Sequence, residues 1–118
     1  MLAMRISSLL SIAALALSGP ALGQERPSDA DLAQALRAGG YVIVIRHGAT
    51  HADQADTDPL NHDNVAKQRQ LNAKGEDAAK AFGAAFGQIG VPVGKVVTSH
   101  FNRAYQTAKL AGFEHRRH

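Results

Sequence analysis

Two arginines and a histidine are the residues of this chain best suited to chemistry on an anion. Arg46 and His47 follow directly on the apolar run "YVIVI", with Gly48 and Thr50 behind them in "RHGAT". Arg103 stands in "TSHFNRAYQTA", just after a second, shorter apolar run. A guanidinium grips two phosphate oxygens side by side and stays charged at any relevant pH. A neutral imidazole can attack phosphorus and so split one difficult displacement into two. A helix starting after Ser99 adds backbone N–H groups and a positive dipole end to the same place. Ser99 itself reads as the cap of that helix rather than as a reacting hydroxyl. His51, Asp53, Asp56, Asp58, His62 and Asp63 place oxygen and nitrogen donors on one loop. They lack the spacing of a calcium loop or any other recognisable ligand pattern, so no metal site is expected there.

These side chains need elements to carry them. Residues 41–45 are continuously apolar rather than alternating, as suits a strand of a parallel sheet covered on both faces. Ser28, with Asp31 three residues on, predicts a helix start whose face carries Leu32 and Leu36, and Gly39-Gly40 ends it. The polar stretch 49–70 predicts a long functional loop. Asn72 caps a helix running to about Ile89, with Phe82, Phe86 and Ile89 as its buried stripe. Ala79, Gly83 and Gly87 form a small-residue ridge beside that stripe, and close packing against a sheet is expected to offset the glycines. Gly90 and Pro92 break this helix, residues 95–98 predict a second strand, and a last helix closes at Gly112. Alternation of strand and helix argues for an α/β sheet with right-handed crossovers. In such sheets ligands bind beyond the carboxyl ends of the strands, where both polar clusters fall.

"RHGAT" after an apolar strand, then "LNAKG", then "TSHFNRAYQTA", resembles the histidine phosphatase superfamily, which includes phosphoglycerate mutase. The resemblance covers about residues 41–112. It implies a three-layer α/β/α sandwich of the phosphoglycerate mutase-like type and a phosphohistidine mechanism without a cofactor. By position, His47 is then the nucleophile, and Arg46 and Arg103 clamp the phosphoryl oxygens. Gly48 lets the backbone come close to the phosphate, and Thr50 donates its hydroxyl to the phosphate or to the loop. The family draws a general acid and a second histidine from later segments. His100, Glu114, His115 and His118 do not match them, so the domain is expected to be incomplete on its C-terminal side. The implied activity is phosphomonoester hydrolysis on a phosphorylated small molecule or other phosphoester. The alternative is a non-catalytic remnant that binds anions.

The remaining chain sets the surroundings. The sequence has 118 residues and room for one domain. Residues 1–23 combine Arg5, an apolar run with serine interruptions, a Gly19-Pro20 break and a small-residue Ala-x-Gly site, the layout of a cleavable signal peptide. A periplasmic or secreted protein is expected, with no stable membrane association after cleavage. There is no cysteine, which excludes disulfides and a cysteine-linked lipid anchor. Residues 24–27 read as a linker, 28–112 as the phosphatase-like domain and 113–118, with "HRRH", as a solvated basic tail. The net charge of +3 is scattered without an aromatic-basic patch, so no nucleic-acid partner is expected.

Overall fold

The computed structural model describes residues 23, 25–113 and 116–117. The expected signal peptide and Glu114, His115 and His118 lie outside the described residues, Gly23 apart. Helix α1 spans Asp29–Ala38. Its cap is Ser28, whose hydroxyl accepts from the Asp31 N–H at 3.1 Å, and it stops at Gly39 with φ 76°. No residue of α1 is buried, and Leu32 is largely exposed. Helix α2 spans Ala73–Ile89. The Asn72 side chain accepts from the Gly75 N–H at 2.9 Å, and Gly90 ends the helix with φ 79°, a conformation that glycine reaches at no steric cost.

Strand β1 is confined to Val97–Thr98, helix α3 spans Asn102–Leu110, and strand β2 is Arg116–Arg117. β1 and β2 pair in parallel, Val97 opposite Arg116 and Thr98 opposite Arg117, with α3 as the connection between them. The segment beyond residue 112, expected as a tail, therefore supplies a strand. Ser99 does not cap α3. Phe101 takes that position without a side-chain cap bond.

The expected strand at 41–45 is the main correction. No backbone hydrogen bond joins these residues to a neighbouring strand among the described residues. Val42 and Val44, on one face, are 92% and 89% exposed, and Ile43 and Ile45, on the other, are 44% and 46% exposed, so one face is bare and the other half covered. A strand exists through its ladder, and an apolar run without a partner stays an extended single chain. Between it and residues 93–98 lies an open, mainly apolar trough of about 620 Å³, floored by Phe82, Phe86 and Phe113. The three-layer sandwich is accordingly not seen: among the described residues the sheet is the β1–β2 pair alone.

What does pack is α2 against α3. Ala79 and Ala108 are buried, and Phe82, Phe86 and Phe113 form a ring cluster with centroids 4.4 to 6.1 Å apart. A Cβ on Gly83 would collide with the backbone of Ala111, so this glycine lets the end of α3 touch α2. The close packing expected against a sheet is thus made against a helix end. Gly87 has nothing near it. Among the described residues no helix is long and apolar enough to cross a membrane.

Candidate functional site

Residues 46–50 are pinned between two helices. A Cβ on Gly48 would stand 2.8 Å from Gly75 Cα, and one on Gly75 would stand 2.7 Å from the Ala49 nitrogen. Two glycines thus let the backbone behind His47 cross the first turn of α2. From the other side, the Gly48 N–H donates to Thr107 Oγ1 of α3 at 3.3 Å. The Thr107 hydroxyl in turn donates to the Arg103 carbonyl at 2.8 Å. The close approach expected of Gly48 therefore serves helix packing, and Gly48 does not line the recess described below.

The polar stretch 51–70 is closed at its neck. Thr50 and Leu71 form an antiparallel bridge, His51 N–H donates to the Gln70 carbonyl at 3.1 Å, and Asn72 N–H donates to the Ala49 carbonyl at 3.0 Å. Inside the loop, side chains stand in for a ladder. Gln54 accepts twice, through Oε1 from the Gln70 N–H at 2.8 Å and through its carbonyl from Arg69 Nε at 2.6 Å. Gln68, buried, donates to the His62 carbonyl at 2.9 Å and accepts the Asn102 N–H at 2.7 Å. That last bond uses the first N–H of α3. The helix end expected to offer this group to an anion has spent it on the loop.

Residues 46–50, the loop and the first turn of α3 border a recess of about 390 Å³ lined by Arg46, His47, Thr50, Ala55, Asp56, Arg69 and Arg103. Four residues singled out from sequence, Arg46, His47, Thr50 and Arg103, meet here. Ser99 lies instead on the apolar trough, and His51 is exposed outside the recess. The Nδ1 of His47 sits 2.7 Å from the Gly48 carbonyl. A carbonyl can only accept, so Nδ1 carries the proton and the lone pair of the neutral ring is on Nε2.

Arg103 is held on two sides. Its Nη1 donates to Asp56 Oδ1 at 2.8 Å, with the two side chains 14% and 26% exposed. Its guanidinium carbon lies 4.2 Å from the centroid of the Phe101 ring, a cation–π contact. Phe101 meets the His62 ring edge-on at 5.1 Å, and His62 stacks on His100 at 5.2 Å. Asp56 also accepts the Arg69 N–H at 3.0 Å. The hydrogen bond from Arg103, then that from Arg69, with both guanidinium charges in support, holds the Asp56 carboxyl below the usual carboxylate range against the opposing effect of burial.

Arg69 and Asp56 are the residues that sequence reasoning missed. In the sequence Arg69 reads only as part of the long loop, and Asp56 only as one of its oxygen donors. The available signal was the loop's closure: if its two ends meet beside Thr50, Arg69 returns to the place where Arg46 leaves. Among the described residues, no three His, Asp or Glu side chains are grouped to share a metal ion.

The family model of the histidine phosphatase superfamily (branch 1) matches residues 42–117, more than half of the chain. No curated protein and no solved structure matches it. The chain belongs to the histidine phosphatase superfamily, whose members have a phosphoglycerate mutase-like α/β fold and act on phosphorylated molecules.

Proposed function

We propose that this member of the superfamily hydrolyses phosphomonoesters through a phosphohistidine at His47. The observation that carries the reading is the convergence of Arg46, His47 and Arg103 on one recess, with Nδ1 of His47 engaged so that Nε2 holds the lone pair. Nε2 attacks phosphorus, the bond to the ester oxygen breaks, and that oxygen leaves with the electron pair. Water then attacks phosphorus, the phosphorus–nitrogen bond breaks with its electron pair returning to Nε2, and inorganic phosphate leaves while the water's proton passes to the departed ester oxygen or to solvent. Arg46 and Arg103 stabilise charge on the equatorial oxygens in both steps. Thr50, on the recess wall, is placed to donate a hydroxyl to one of them.

A second reading, anion binding without turnover, is favoured by one observation. Among the described residues Asp56 is the one carboxylate lining the recess, and it is held ionised by Arg103, so it has no proton to give a leaving group. Trapping with a labelled nitrophenyl phosphate separates the two. Turnover through His47 leaves an acid-labile, alkali-stable label that His47→Ala abolishes and His51→Ala spares. Anion binding with no label and no nitrophenol release selects the second reading.

Export is part of the proposal. It rests on the charged start, the apolar run and the Ala-x-Gly site in residues 1–23. Mass spectrometry of the protein recovered outside the cytoplasm should find a chain beginning at or near Gln24; a retained Met1 rejects it.

A further inference from the structure

We propose that Asp56 is a tethered counter-anion of the recess, whose carboxylate occupies Arg103 in the free protein and exchanges with an incoming phosphate dianion. The inference rests on the reading of the recess as a phosphate site. Arg103 lies against Phe101, which fixes the plane of its guanidinium, and Asp56 meets one edge nitrogen of that plane at 2.8 Å. A phosphate oxygen approaches a guanidinium in the same way, as a charged acceptor in line with an N–H. The carboxylate is therefore built into the position of part of the ligand.

Both contacts of Asp56, from Arg103 and from the Arg69 N–H, fall on the one oxygen Oδ1. The side chain keeps 26% of its surface in solvent, and it rides on a loop whose neck is closed independently at Thr50 and Leu71. It can turn outward without opening that neck. Among the described residues, three arginines and this one carboxylate line the recess, which leaves a charge of +2 (3 minus 1) apart from His47. A dianion matches that charge, but it must share Arg103 with a like-charged neighbour, and two anions in one small site repel. The depressed proton affinity of Asp56 reports the same thing from the other side: Arg103 already stabilises an anion here. By reciprocity, whatever takes Arg103 away from Asp56 must be opposed by Asp56 to the same degree. The device keeps Arg103 oriented while the site is empty and hastens departure of the phosphate product.

The test is calorimetric titration of the whole chain with inorganic phosphate, comparing wild type with Asp56→Asn. Asparagine keeps an oxygen for the Arg69 N–H and removes only the charge. The expected result is binding at least about tenfold tighter in Asp56→Asn, the scale of one like-charge contact removed from a partly buried site. Wild-type binding with an equal or weaker Asp56→Asn overturns the inference and leaves the proposed function standing. Binding by neither protein overturns both. A second measurement needs no variant: carbodiimide coupling of wild-type carboxyls, mapped by mass spectrometry, with and without sulfate as a dianion that does not react. Sulfate should raise labelling at Asp56 and leave the surface residue Asp77 unchanged. Labelling at Asp56 that stays level or falls rejects the exchange.

Discussion

Gly75→Ala sets two effects of opposite sign against each other, and the structure decides between them. In an open helix, Ala in place of Gly stabilises by about 1 kcal/mol. At Gly75 the new methyl would lie 2.7 Å from the Ala49 nitrogen and 2.9 Å from its carbonyl carbon, both backbone atoms that no side-chain rotation can move. Ordinary carbon contacts begin near 3.5 Å, so α2 and residues 48–50 must part by roughly 1 Å. Forcing extra volume into a packed contact typically costs about 1–3 kcal/mol, which exceeds the propensity gain. Gly87→Ala is the matched control: same helix, interior position, nothing near the added methyl. We expect Gly87→Ala to raise Tm and Gly75→Ala to lower it, each kcal/mol corresponding to about 4–8 °C for a domain of this size. The displaced segment carries His47, and a 1 Å misplacement of a reacting group costs about a hundredfold, so Gly75→Ala should also weaken phosphate binding or turnover. Thermal unfolding followed by circular dichroism reads the first effect and calorimetry the second. If Gly75→Ala stabilises as Gly87→Ala does, the segment behind His47 does not rest on α2, and the placement of the recess falls with it.

Gln68→Ala strips partners from the Asn102 N–H and the His62 carbonyl, which should cost about 1–3 kcal/mol per stranded group in urea unfolding; a loss under 0.5 kcal/mol would show that the loop is not anchored on α3. Arg46→Ala and Arg103→Ala should each weaken phosphate or vanadate binding by about 2–5 kcal/mol, while Lys74→Ala and Lys109→Ala, on exposed helix positions, should change it little. Equal effects across all four would place the anion elsewhere. The folded-state pKa of Asp56 is depressed, so its pairing contributes stability in full above about pH 4 and loses it as pH falls through the lower folded value. Asp56→Asn should therefore flatten the acid limb of the stability–pH curve below pH 4 and leave its shape above pH 6 unchanged; an unaltered acid limb argues against the ion pair.

Of the parts set by neighbours within four residues, two helix starts and two helix ends were legible in the sequence, while the cap of α3 was not, falling on Phe101 instead of Ser99. Ser28 and Asn72 cap their helices and Gly39 and Gly90 end theirs because a cap is a bond between residues three or four apart. The Arg46, His47, Thr50 and Arg103 grouping was legible for a different reason: each sits shortly after an apolar run, at the strand end where a ligand is expected. Tertiary structure alone decided the rest. The Asp56–Arg103 pair spans 47 residues and the Gln68–Asn102 bond 34, separations at which no periodicity says who meets whom. Those two contacts turned a loop of apparent ligand donors into one wall of the recess and took from α3 the N–H that local reasoning had assigned to an anion. Residues 41–45 show the same limit most plainly. Their composition dictates an extended chain that avoids water, but a strand is completed by hydrogen bonds from a neighbour, and only the tertiary structure says whether a neighbour is there.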